Sequence, residues 1–279
     1  MIMIGDQGVF ALPEEVHMKY LKKTVSILLS FIMVFSLFTM IPFDAFAADG
    51  NAEFTDVSTR SQLQAAINAS GRSHVRLAAD ITEQENDTAV LVGEGKTVTL
   101  DLNGFTLSRN LTENKDDGYV IRVNSGGALT VSDSSAAATG NITGGYSKNG
   151  VGIYNLGTLT LEGGKLSGNI ATENGGGVYN ESSVTVTGGS VINNSGKEGG
   201  GIYNCSTGVV ALGGSGEVTA NKSSESSGGG VANYGTLSVS DNAEISCNYG
   251  YTDGGGIINN GTVNIYDGIT SLLKKQAVL

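Results

Sequence analysis

Five times between residues 152 and 259 the chain carries nearly the same short run. The five are Gly152-Ile-Tyr-Asn155, Gly177-Val-Tyr-Asn180, Gly201-Ile-Tyr-Asn204, Gly230-Val-Ala-Asn233 and Gly256-Ile-Ile-Asn259, with asparagines 25, 24, 29 and 26 residues apart. A period of that size marks a solenoid, because no single unit can bury its apolar face without a neighbour. Each unit holds three short alternating segments punctuated by Gly and Asn. After the first come Leu159-Thr-Leu161, Val184-Thr-Val186, Leu237-Ser-Val239 and Val263-Asn-Ile265, with Val209-Val-Ala211 as the looser member. The third segment reads Leu166-Ser-Gly-Asn169, Val191-Ile-Asn-Asn194, Val218-Thr-Ala-Asn221 and Ile245-Ser-Cys-Asn248. Period-two alternation over four or five residues is the mark of a strand, and no run here has the period or length of a helix. Three strands per unit predict an all-β fold, a right-handed, single-stranded parallel β-helix.

Parallel stacking sets equivalent positions of successive rungs ~4.8 Å apart, so columns can be read directly. Ile153, Val178, Ile202, Val231 and Ile257 are aliphatic and β-branched throughout and are expected to point inward. Tyr154, Tyr179, Tyr203, Ala232 and Ile258 tolerate loss of almost the whole side chain and are expected to point outward. The glycine runs fit turns with positive φ or close backbone approach. The two Asn columns, 155 to 259 and 169 to 248, are expected at left-handed bends, with their amides bonding to one another up the axis. The only prolines, Pro13 and Pro42, precede the repeats, as a ladder needing almost every N–H requires.

Met18-Lys-Tyr-Leu-Lys-Lys23, the apolar run Thr24 to Met40 and Ala45-Phe-Ala47 have the parts of a secretory signal. Cleavage is expected after Ala47; the competing reading is a membrane anchor over Val25–Ile41. Residues 1–17 read as an over-extended start, 18–47 as the signal peptide and 48–74 as an N-terminal cap. In the cap, Thr59-Arg-Ser-Gln62 is a capping box opening a short helix, with Leu63, Ala66 and Ile67 on one face and Gly71 as its stop. Residues 75–268 are expected to form about seven or eight rungs, roughly 35–40 Å long. Residues 269–279 break the pattern and read as the irregular tail of a truncated product, or else as a short capping helix over Leu272–Leu279.

The pairing of Gly-Gly-Gly-(Ile/Val)-x-Asn with apolar-x-x-Asn resembles the repeats of polymorphic outer-membrane proteins. It resembles even more the adhesin-like β-helix proteins that Gram-positive gut bacteria secrete or display. Gly95-Lys-Thr-Val-Thr-Leu-Asp-Leu-Asn-Gly-Phe-Thr-Leu107 looks like the opening rungs of that group. The resemblance covers about residues 75–268 and implies surface display and adhesion, with no particular ligand. The sequence departs from the outer-membrane proteins in showing no barrel pattern after the repeats. Its third-segment apolar residue is also aliphatic, never Phe.

Parallel β-helices of the pectate-lyase type host lyases and hydrolases as well, so chemistry has to be weighed on residues rather than fold. Such lyases need carboxylates around Ca²⁺ and an Arg base, yet residues 149–268 contain no Arg. Hydrolases need paired carboxylates, and the one adjacent pair noted, Asp116-Asp117, sits in a turn-like Asn-Lys-Asp-Asp-Gly stretch. His17 and His74 are the only histidines, too few beyond the signal for a two-His metal site. Gly95-Lys96-Thr97 lacks the glycine at position 90 and the following helix that a phosphate loop needs. Cys205 and Cys247 fall at different points of rungs two apart and are expected as free, partly buried thiols. The turn column Asn149, Asn174, Glu198, Ser227 and Asp253 reads as polar spacing rather than a cation site. No catalytic residue, metal or cofactor is therefore assigned.

Net charge is −11 with acidic residues scattered singly, which argues against nucleic acid as a partner. Membrane contact is expected only through an uncleaved signal segment. Tyr154, Tyr179 and Tyr203 remain as an outward aromatic column that suits a glycan or simply stabilises the sheet. The favoured expectation is a secreted or cell-surface, non-catalytic segment adhering to host or matrix glycans or proteins. The alternatives are a polysaccharide lyase or hydrolase with a missing or degenerate catalytic part, and a structural stalk.

Overall fold

The structure is a computed structural model that describes residues 53–82 and 87–266, and in the separate unit Met1–Ala52 a two-stranded antiparallel pair, Ile4–Gly5 with Gly8–Val9. The expected signal segment, its cleavage site and the tail 269–279 lie outside the described residues. From Glu53 onward the chain forms a right-handed parallel β-helix of about seven turns.

Four sheets run along its axis, each strand pairing parallel with its counterpart in the next rung. The first contains Thr55–Val57, Arg72–Leu77, Thr97–Asp101, Ala128–Ser132, Thr158–Leu161, Ser183–Val186, Val209–Leu212, Thr236–Val239 and Thr262–Ile265. The second runs from Ile81–Thr82 to Glu244–Ser246, and a short third sheet from Tyr146–Ser147 to Lys222–Ser223. The fourth contains Val90–Val92, Ile121–Val123, Ile153–Asn155, Val178–Asn180, Ile202–Asn204, Val231–Asn233 and Ile257–Asn259.

Alternation decides which residues fill the interior. In the fourth sheet Ile153, Val178, Ile202 and Val231 are buried in register, and Ile257 packs half-buried on the last rung. Pairs such as Leu129/Val131, Leu159/Leu161 and Val184/Val186 fill the first sheet's inner face, and Leu166, Val191, Val218 and Ile245 the second's. The looser segment at Val209 pairs in register with both neighbours.

The asparagines are inside, which corrects the expectation that they sit at left-handed bends. Asn155, Asn180, Asn204 and Asn233 are fully buried at the inner ends of their strands. Each Nδ2 donates to the next Oδ1, at 2.8, 2.8, 2.8 and 2.7 Å up to Asn259. A second ladder joins Asn169, Asn194, Asn221 and Asn248 at 3.0, 3.1 and 3.1 Å. The second NH of the Asn155 amide goes to Ser183 O and Gly157 O, and Gly157 N returns to Asn155 Oδ1. A buried amide is tolerated because its donors and acceptor are all satisfied. Beside the second ladder the left-handed residue is one position earlier, at Gly168, Asn193, Ala220 and Cys247, with φ 66, 57, 52 and 54°, whereas the Asn155–Asn233 column has no left-handed residue at or just before it. That turn swings the next residue inward, and only an amide can then meet its copy in the neighbouring rung.

The stack begins before the expected boundary. Thr55–Val57 already pairs with Val75–Leu77, and the helix Arg60–Asn68 leaves and re-enters between these two strands. Thr59 caps it, accepting from Gln62 N, and Gln62 Oε1 accepts from Ser58 N. Leu63 and Ile67 are buried against the core. Gln64 pairs through its amide with Leu91 N and O, both at 2.9 Å, as a neighbouring strand would. This covers the first edge of the fourth sheet. Lys96 Nζ binds the carbonyls of Asn68 and Ala69 at the other end of the helix, where a cation suits the helix dipole. The lysine of the rejected phosphate-loop motif thus serves the cap.

Candidate functional site

On the outer face of the fourth sheet the expected aromatic column is present and longer than expected. Tyr119, Tyr154, Tyr179, Tyr203 and Tyr234 stand in one row, with ring centroids 5.6, 5.1, 5.3 and 5.3 Å apart. The two central pairs are stacked at 18° and 1°, the end pairs tilted at 40° and 35°. Rung register places Tyr154 on Tyr179 and Tyr179 on Tyr203. Tyr119 and Tyr234 enter from outside the strands, which is why column reading missed them. Ala232 occupies the next place in register after Tyr203. It was expected outside but is fully buried, and the row is continued instead by Tyr234, whose ring lies 5.3 Å from that of Tyr203.

Glycine makes room for this row. At Gly150, with φ 63°, an added Cβ would lie 2.7 Å from Tyr179 Cβ and 2.8 Å from Tyr154 Cδ2. The equivalent Gly175, Gly199, Gly228 and Gly254 share the positive φ, so both conformation and space exclude a side chain there.

The ridge is polar at its margins. Arg122, in register with Tyr154, lies with Cζ 5.7 Å from that ring and donates from Nη1 to the Tyr119 hydroxyl at 3.3 Å. The Tyr154 hydroxyl donates to Glu181 at 3.2 Å and that of Tyr234 to Glu198 at 2.9 Å. Burial of the half-covered ring, then the Glu181 carboxylate, pushes Tyr154 up to about 12. Burial and the neighbouring Tyr234 and Glu198 do the same for Tyr203, also to about 12. Tyr179 is raised as well, by burial first and then by the Cys205 thiol beside it, while burial raises Cys205. Rings stacked on each other spend their faces internally. What the row offers a partner is ring edges, phenolic hydroxyls and flanking carboxylates, suited to hydrogen bonding along an extended chain rather than to a sugar laid flat on one ring.

Other sequence candidates are dispersed. Asp116 and Asp117 are exposed, as a solvated turn would be. His74 is half-buried on Arg72–Leu77, edge-on to Phe54 at 5.7 Å. Cys205 is half-buried and free; Cys247 is free but exposed, since its left-handed turn directs it outward. In the turn column, Asn174 N donates to Asn149 Oδ1 at 3.0 Å and Asn174 bridges to Glu198, but Ser227 bonds Thr252 rather than Asp253. The fold does bring together one carboxylate pair not singled out above. Glu217 and Glu244 are in register on the second sheet, with Ser190 Oγ donating to Glu217 at 2.9 Å. Their shared position before Val218 and Ile245 was the signal available in the sequence. No group of three His, Cys, Asp or Glu side chains suited to a metal occurs among the described residues, and no described helix is long and apolar enough to cross a membrane.

Compared with family models, curated proteins and solved structures, the chain matches none.

Proposed function

We propose that this β-helix is a secreted or surface-displayed, non-catalytic adhesion segment that holds a host or matrix glycan or protein along its tyrosine ridge. The observation that carries this is the continuous row of five half-buried rings, roughly 20 Å long at the rung spacing. Tyrosine presents a rigid amphipathic edge that loses little side-chain entropy on binding. The row lies on a stack whose core is aliphatic and amide, so the surface stays fixed whatever binds it. The resemblance of the repeats to adhesin-like proteins points the same way.

The test is binding of the purified protein to arrays of glycans and matrix proteins, with a Tyr154→Phe/Tyr234→Phe variant that keeps the stack and removes two hydroxyls. Weaker binding of that variant to a ligand the parent retains supports the reading. Equal binding moves the site off this face.

A polysaccharide hydrolase is the second reading, favoured by the registered pair Glu217 and Glu244. It requires sustained release of reducing ends from a polysaccharide, abolished by Glu217→Gln.

A further inference from the structure

The outer face of the first sheet differs in kind from the tyrosine ridge and is independent of it. Register aligns two outward columns over seven rungs: Thr97, Ala128, Thr158, Ser183, Val209, Thr236 and Thr262, and Thr99, Thr130, Thr160, Thr185, Ala211, Ser238 and Asn264. Ten of these fourteen are Thr or Ser and none is charged or aromatic; the strip is bounded on the preceding rung, where the same two columns carry Arg72 and His74. On a chain of net charge −11, a neutral solvent-facing strip of this length is a departure. The second sheet's outer face carries Lys165, Glu217 and Glu244.

Threonine also suits strands for its own sake, so composition alone decides nothing. The hydrogen bonds add a second fact. Among the described residues, none of these ten hydroxyls bonds another protein group; on the second sheet's outer face Ser167 and Ser190 are bonded, to Asn141 and Glu217, while the hydroxyls of Thr106, Thr143 and Thr219 are as free as those of the strip. The densest block is Thr97, Thr99, Thr130, Thr158, Thr160, Ser183 and Thr185, seven free hydroxyls on four consecutive rungs. Their repeats are set by the scaffold, ~4.8 Å between rungs and about 6.7 Å between alternate residues of one strand.

A flat array has no concavity for a small molecule. Without aromatic side chains it lacks the usual platform for sugar rings. It is also too polar for the apolar centre of a protein interface. What it complements is an uncharged surface that is itself periodic in two directions and made of hydroxyl-like donors and acceptors. We propose that this face binds ice. Holding liquid water in such an array costs immobilisation entropy for each molecule. In ice that ordering is already present, and the rigid rungs need none of their own.

The experiment measures ice recrystallisation and partition of the full-length protein into slowly grown ice, beside the variants Thr160→Lys, Thr160→Val and, on the second sheet, Thr219→Lys. Expected are slowed recrystallisation and enrichment in the ice fraction by the parent and by Thr219→Lys. Loss of both effects is expected in Thr160→Lys, and weakening in Thr160→Val, which keeps the β-branched shape. Circular dichroism melting confirms that each variant is folded, and Thr160→Val carries the test if the lysine variant is not. A parent no different from an inert protein at equal concentration overturns the proposal. So does equal loss in Thr219→Lys, or retention by crystalline cellulose or chitin that Thr160→Lys abolishes while ice is ignored.

Discussion

In one inward column of the fourth sheet, Val92 and Val123 are followed by Asn155, Asn180, Asn204, Asn233 and Asn259. The coil continues unchanged across this switch from aliphatic side chain to amide, but what holds its corners does not. Before the switch, corners are tied by carboxylates. Asp101 accepts from Asn103 N, Ser134 N and Ser134 Oγ, and Asp133 from the backbone N–H groups of Gly104, Ser135 and Gly140. All five arginines of the chain lie on this side, Arg109 among them, buried and donating to the Asp87 carbonyl. After the switch, two neutral amide ladders take over and glycine columns admit the close turns, with Asp241, accepting from Gly214 N and Ser240 Oγ, as a remaining carboxylate corner. One rung geometry therefore accepts two solutions to the same need. Charged corners are individual and irregular. Amide ladders repeat, which is why only the later half announces its period in the sequence.

The largest effect is expected inside the repeats. Val178→Asp places an unpaired carboxylate in the closed core and is expected to cost about 4 kcal/mol or more, with a lower melting temperature. An unchanged melt would mean the column does not face inward.

Next comes the switch itself. Asn180→Leu leaves Asn155 Nδ2, Asn204 Oδ1 and Ser182 N without their partner, at about 2–3 kcal/mol for the orphaned groups. Val123→Ile, one column-mate before the switch, adds a single methylene and orphans no polar group, and is expected to cost about 1 kcal/mol. Equal losses on denaturant unfolding would erase the distinction between the two halves.

Acid sharpens it further. Burial alone would raise Asp133, but donors from Ser135, Gly140 and Gly104 outweigh it and hold the carboxyl below its ordinary 3.8. Its stabilising contribution is therefore present above pH 3.8 and lost as pH falls through the lower folded value. Asp133→Asn is expected to flatten acid unfolding between pH 4 and 2, read by circular dichroism. An identical acid profile would mean that the Asp133 corner contributes nothing to acid stability.

The smallest effect is at high pH on the ridge. Tyr154 and Tyr203 have folded values raised from 10.0 to about 12. Their contribution is full below pH 10 and lost as pH rises from 10 towards 12. Tyr154→Phe is expected to remove one late step from the tyrosinate absorbance titration with little change in the melt at pH 7.

The sequence made the rung period, the inward column and the bonding of stacked amides legible, because each depends on position within a repeat. It misplaced the left-handed turn of the second Asn column by one residue, since Gly168, Asn193, Ala220 and Cys247 share no side-chain type, and it expected a left-handed bend at the first column where the strand runs straight through. Tyr119 and Tyr234 were hidden because rings reaching in from loops obey no column. The Glu217–Glu244 pair is separated by a whole rung and looks solitary until the rungs are stacked.

The amide ladders are the feature on which the later repeats most depend, and their side-chain protons can be watched directly. Hydrogen exchange by NMR on an asparagine-labelled sample is predicted to show strong protection of the Nδ2 protons of Asn180, Asn204, Asn194 and Asn221. That protection should persist from pH 7 to pH 4, while the exposed Asn193 exchanges freely. Free exchange at the ladder positions, or protection that collapses on mild acidification, would contradict a core held by stacked neutral amides.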